Sequence, residues 1–123
     1  MARKVGQCIL IIEDEIPVRT TLSLIFEASG YKVFKGSTAK EGLHLFTSNP
    51  VDLVLLDFRL PDDGTWLGQE LKRRKPRVPI VVLSGAPEAI QATSYADALL
   101  PKPMEPPDLL KRVAELLGRA RSA

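Results

Sequence analysis

Four sites in this 123-residue chain carry side chains with chemistry to offer: Glu13-Asp14-Glu15, Asp57, Ser84 and Lys102. Carboxylates brought close together repel, and one of them must take a proton unless a cation neutralises the group. A small set of hard oxygen ligands suits Mg²⁺, which keeps several of its waters. Beside such a cation a carboxylate can act as a nucleophile toward phosphorus and carry an aspartyl phosphate. The in-line displacement needs its equatorial oxygens stabilised by metal, cation and hydroxyl or amide donors. Asp14 offers the metal ligand, Lys102 the cation and Ser84 the hydroxyl, with small Gly85 and Ala86 leaving room. Each residue also has an ordinary use. An acidic triplet suits the start of a helix, a Ser before Gly suits a turn, and a lysine is usually solvated surface. The placement of the four sites decides between these uses.

The chain alternates short β-rich runs with amphipathic stretches. Ile9 to Ile12 reads as a strand buried on both faces. Pro17 opens a helix with Val18, Leu22, Ile25 and Phe26 on one face, stopped at Gly30. Tyr31 to Lys35 alternates like a more exposed strand. Ser37 or Thr38 caps a helix whose apolar face is Ala39, Leu43 and Phe46, broken at Asn49-Pro50. Val51 to Leu56 is the most apolar strand and belongs at the centre, with Asp57 at its end. Leu60 to Gly64 is loop by composition, and a helix follows from Trp66 to about Lys75. Ile80 to Leu83 is another buried strand. A short helix over Glu88–Ser94 and a short strand over Ala98–Leu100 come next. The final helix starts at Pro106 with Leu109, Leu110, Val113, Leu116 and Leu117 inward, and Arg119 to Ala123 is expected to fray.

Five successive β–α units imply one α/β domain: a parallel sheet with helices on both faces and a core spanning about 7–118. Function in such sheets collects at the carboxyl ends of the strands. Glu13-Asp14-Glu15 follow the first strand, Asp57 the third, Ser84 the fourth and Lys102-Pro103 the fifth. The topology therefore gathers all four sites at one edge.

Composition excludes other classes. Apolar residues are 45% and charged residues 26%, with a formal charge of +2. Such a charge does not point to nucleic acid. The run Lys72-Arg-Arg-Lys75 with Arg77 reads as a solvated helix end, not a nucleic-acid surface. A single cysteine, Cys8, gives no disulfide framework and fits a reducing compartment. The apolar runs are too short for a membrane span or a signal-peptide core, so the expected location is the cytoplasm. His44 reads as surface, Trp66 as a residue packing at a helix start, and Cys8 as small core.

Ile9-Leu-Ile-Ile-Glu-Asp-Glu15, Leu55-Leu-Asp57-Phe-Arg-Leu-Pro61, Val82-Leu-Ser84-Gly and Leu99-Leu-Pro-Lys102-Pro103 together resemble the receiver domain of two-component response regulators, in order and over residues 7–118. The resemblance implies a five-stranded sheet in the order 2-1-3-4-5. It makes Asp57 the phospho-acceptor and Mg²⁺ the cofactor. It makes Asp14 the direct metal ligand, with Glu13 acting through water and the Arg59 backbone carbonyl completing the protein's share. Ser84 would bond a phosphoryl oxygen. Lys102 would pair with Asp57 before transfer and with the phosphoryl group after it. Lys102-Pro103 becomes a candidate cis bond. The implied donor is a sensor histidine kinase or a histidine phosphotransfer protein, the output a downstream protein or a phosphorylation-dependent homodimer, and the domain a switch, not a turnover enzyme.

This sequence departs from that family in two ways. The switch aromatic three residues before the lysine is Leu99. Only 17 residues separate Ser84 from Lys102, roughly one helical turn (about 3.6 residues) fewer than the resemblance leads one to expect. The helix after the fourth strand is therefore expected to be short or mobile, and the output face reshaped. Arg59 and Ala86, two past Asp57 and Ser84, would tune access of water to the phosphoryl group. Three readings stand: a phosphorylation switch, a receiver-fold interaction module whose switch has drifted, and an Asp-nucleophile phosphatase, which Arg59 disfavours because such enzymes carry an acid there. The chain is expected to be either a stand-alone regulator or a piece of a longer protein.

Overall fold

The computed structural model describes residues 6–62, 64–85 and 94–122. The strands are β1 (Cys8–Ile12), β2 (Lys32–Gly36), β3 (Leu53–Asp57), β4 (Ile80–Ser84) and β5 (Ala98–Pro101). The helices are α1 (Ile16–Ala28), α2 (Ala39–Ser48), α3 (Gly64–Arg74) and α4 (Pro106–Ser122). All neighbouring strands are parallel, as the β–α alternation predicts, and their order is β2-β1-β3-β4-β5, as the family resemblance implies.

β1 and β3 are buried at every position, which explains their unbroken apolar runs. One face of the sheet (Ile9, Ile11, Leu53, Leu55, Val81, Leu83) packs on Leu22 and Phe26 of α1 and on Leu109, Val113, Leu116 and Leu117 of α4. The other face (Leu10, Ile12, Val54, Leu56, Ile80, Val82) packs on Phe46 of α2, Leu67 and Leu71 of α3, and Tyr95. Burial of an aliphatic side chain contributes about 1.5–3 kcal/mol relative to exposure. This two-sided sandwich is therefore the main force that fixes the strand ends.

Local signals set the boundaries. Pro17 sits in the first turn of α1. Gly30, with φ of 93°, makes the left-handed turn that ends it and that other residues take at a cost. Thr38 caps α2, its hydroxyl accepting the Glu41 N–H at 3.1 Å. The Glu41 carboxylate reaches back to the Ser37 N–H and hydroxyl, both at 2.7 Å.

Four expectations shift. β3 starts at Leu53 and not Val51, because the Asp52 carboxylate turns back to accept the Cys8 N–H at 2.7 Å. Tyr31 stands outside β2 and packs edge-to-face on Phe26, ring centroids 5.8 Å apart. α3 begins at Gly64, before Trp66. α4 extends to Ser122, through most of the residues expected to fray. The helix expected over Glu88–Ser94 lies, apart from Ser94, outside the described residues, as does Ala86.

Candidate functional site

Strand register brings the chemistry together. Ile12 pairs with Leu56, Asp57 with Leu83 and Ser84 with Pro101. The residue after β1, the last residues of β3 and β4, and the residue after β5 therefore meet at the carboxyl edge. The Lys102 N–H donates to the Ser84 carbonyl at 3.2 Å, which seats the lysine beside β4. The Lys102-Pro103 bond is cis, as expected.

Asp57 is 5% exposed and Glu13 1%, whereas Asp14 is exposed. One carboxylate oxygen from each of Glu13, Asp14 and Asp57 lies within 4.8 Å of the others. Lys102 Nζ donates to Glu13 Oε1 at 3.1 Å and to Asp57 Oδ1 at 3.3 Å. The same Asp57 oxygen accepts the Arg59 N–H at 3.2 Å. The Glu15 N–H donates to Glu13 Oε2 at 3.2 Å.

Burial pushes the Glu13 carboxyl above its usual range. The Lys102 hydrogen bond opposes this, the Asp57 charge adds to it, and burial prevails. Burial also works against the Lys102 ammonium. Its hydrogen bond to Glu13 and the charges of Asp57 and Glu13 outweigh that, and its pKa is raised. Three carboxylates, two of them bonded by the Lys102 ammonium, form a hard-oxygen donor set. That chemistry fits a divalent cation such as Mg²⁺.

A pocket of about 270 Å³ opens over this cluster, lined by Asp14, Glu15, Asp57, Arg59, Ser84, Gly85 and Lys102. The structure thus unites Asp14, Asp57, Ser84, Arg59 and Lys102 around one space. Glu13 is packed beneath it, held directly by Lys102. Leu99 is half-buried against the cluster that contains Tyr95. An apolar groove of about 570 Å³ adjoins the pocket and also touches Lys102; Pro17, Val18 and Thr21 of α1 and Met104 and Pro106 form its rim.

Several residues escaped the sequence reading. Arg19 Nη1 donates to the Glu13 carbonyl at 2.8 Å and so fixes the acidic loop. A cation in the first turn after an acidic run was the available signal. Asp62 accepts from the start of α2, which no local pattern announces. The basic run at the end of α3 is paired as well as solvated. Arg73 and Arg74 both bond Glu70, at 2.6 and 2.8 Å, and hold its carboxyl down at about 2. Lys72 bonds Asp97. His44 is exposed, Trp66 is 46% exposed, and Cys8 is buried.

Comparison with known proteins bears on the family and the fold. Residues 9–114 match the response regulator receiver domain family. The chain is 35% identical over 116 residues to the aerobic respiration control protein ArcA of Escherichia coli strain K12, covering 90% of this chain and 48% of that protein. It is 33% identical over 122 residues to the phosphate regulon transcriptional regulatory protein PhoB of Pseudomonas aeruginosa, covering 94% and 53%. The chain spans about half the length of these curated relatives. A crystal structure of a CheY-like receiver domain protein from Methanospirillum hungatei superposes with a TM-score of 0.87 at 31% identity, covering 95% of this chain and 98% of that one. The chain belongs to the response regulator receiver domain family of two-component signalling.

Proposed function

We propose that this domain accepts a phosphoryl group on Asp57 from a phosphohistidine donor, with Mg²⁺ held by Asp14, Asp57 and the Arg59 carbonyl and with Glu13 supporting them. The observation that carries this reading is the buried Asp57 carboxylate within 4.8 Å of two other carboxylates and bonded by Lys102. Lys102 and the Arg59 N–H both engage Oδ1, which orients the carboxylate and leaves Oδ2 to attack. An O–P bond forms as the N–P bond breaks, and the imidazole nitrogen of the donor keeps the bonding pair. Bound Mg²⁺ neutralises the carboxylates and the charge on the phosphoryl oxygens. Lys102 then exchanges its bond to Asp57 for one to the phosphoryl group, and the Ser84 hydroxyl donates to another of its oxygens.

The domain acts as a switch and not as a turnover enzyme. Its donor is a sensor histidine kinase or a histidine phosphotransfer protein, and the reaction belongs in the cytoplasm. The apolar groove that shares Lys102 with the pocket supports this reading, since an apolar donor surface docked there would lie beside Asp57. The output is a change in binding to a downstream protein or to a second copy of the domain. Incubation with Mg²⁺ and acetyl phosphate adds one phosphoryl mass to wild type and none to Asp57→Ala. A wild type that stays unmodified at saturating donor contradicts the proposal.

Leu99 favours a second reading, in which the domain binds a partner without a working phospho-switch. It has no ring to rotate and no hydroxyl to present. Partner affinity and oligomeric state that are identical before and after phosphorylation would select this alternative.

A further inference from the structure

We infer that Asp62, five residues beyond the acceptor and outside the pocket, is a positioning residue that sets the metal site. The inference rests on the phosphoryl-acceptor reading above. Asp62 Oδ1 accepts the Ala39 N–H at 2.7 Å, and Oδ2 accepts the Lys40 N–H at 3.2 Å. Both amides lie in the first turn of α2, where helix geometry leaves donors without partners. The helix's own cap, Thr38, covers only the Glu41 N–H, and the first intrahelical bond runs from Gly42 N–H to the Thr38 carbonyl. Asp62 supplies the two acceptors that α2 lacks. Its negative charge also suits a helix N-terminus, and ionised acceptors make the stronger bonds.

The consequence lies on the other side of this contact. The span from Asp57 to Asp62 carries Arg59, whose N–H orients Asp57 and whose carbonyl is a proposed ligand. Asp57 anchors one end of that span in the sheet. Asp62 anchors the other on α2. The same corner also holds the acidic loop, because the Glu13 N–H donates to the Gly36 carbonyl at 3.0 Å. The corner from Gly36 to Lys40 therefore braces both loops that contribute carboxylates. Mg²⁺ demands near-octahedral geometry, so a change in the spacing of these loops acts on its affinity.

The test is Mg²⁺ affinity by calorimetry, with melting curves recorded without Mg²⁺, for wild type, Asp62→Ala and Asp62→Asn. The side chain is exposed, and the alanine variant is expected to fold. Its Mg²⁺ Kd rises about three- to tenfold, less than the roughly 10–100-fold that losing a direct hydrogen-bond partner of a metal ligand costs, because Asp62 acts through the backbone. Asp62→Asn, which keeps one acceptor, falls between the two. A lowered Tm with a Kd within twofold of wild type overturns the inference, because Asp62 then serves only the stability of α2. If Asp62→Ala does not melt cooperatively, Asp62→Asn must show at least a twofold loss, and wild-type affinity there overturns the brace. A wild type that binds no Mg²⁺ overturns the acceptor reading together with the brace. Wild-type-like binding in the variants overturns the brace alone.

Discussion

Lys102 is one cation placed between two buried carboxylates, and this imbalance governs behaviour at the scale of single residues. Glu13 and Asp57 both bond its ammonium, while Asp14 stands close by with its own charge. In the absence of a divalent cation the cluster carries more negative charge than Lys102 can neutralise. Asp57→Asn removes one charge and keeps the shape. It raises stability in Mg²⁺-free buffer by about 1 kcal/mol, or roughly 3–6 °C in Tm for a domain of this size. Thermal melts in a chelator check this, and an unchanged or lower Tm contradicts it. The residue types at the strand ends made Asp14, Asp57 and Lys102 legible in the sequence, since a parallel sheet converts those positions into one edge. Glu13's direct bond to Lys102 was not legible. Sequence places an acid after β1, but burial and rotamer decide whether it faces water or the lysine.

At the scale of elements, periodicity located the five strands and four of the helices, and errors gathered where a long-range side-chain contact overrode a local signal. Asp52 and Tyr31 are such cases, each drawn out of an expected strand by a partner elsewhere. The contact between α3 and the entry to β5 is another. Tyr95 is buried against α3, and a Cβ added at Gly68 would run into its ring. Glycine in a helix costs about 1 kcal/mol relative to alanine, so a close approach is the physical reason for this one. Nearby, the Asp97 carboxylate accepts the Ile80 N–H at 2.8 Å and binds Lys72, which fastens β5 to β4 and α3. Gly68→Ala gains helix propensity and loses the notch for the ring. Overpacking of this kind costs about 1–3 kcal/mol, and the clash outweighs the gain. The expected outcome is a net loss of about 1 kcal/mol in urea unfolding, relieved when Tyr95→Leu is added. A Gly68→Ala variant as stable as wild type would show that the ring moves aside freely.

At the scale of the whole molecule, Cys8 reports on the sandwich as a unit. It begins β1, which lies between β2 and β3, and it is 4% exposed. Its N–H is held by Asp52. Reaching the sulfur means freeing the start of β1, a strand paired on both sides, and such paired strands open rarely. The thiol is therefore modified at least about a thousandfold more slowly in the folded protein than in denaturant. Burial, with the Asp52 charge adding and the Lys32 charge opposing, pushes the thiol pKa above its ordinary value. The unfolded chain sheds this proton near pH 8.5, while the folded chain still holds it. With fewer protons bound in the unfolded state, stability falls as pH rises through that window. Below about pH 8 both states hold the proton and the effect vanishes. Other groups titrate in the same range, so the comparison is with Cys8→Ala, which lacks this one. Urea midpoints measured at pH 7.5 and pH 10 give a wild type that loses more stability over the interval than Cys8→Ala does. Equal losses in the two proteins would mean that the sulfur reaches water in the native sheet, and rapid thiol labelling without denaturant would then accompany them.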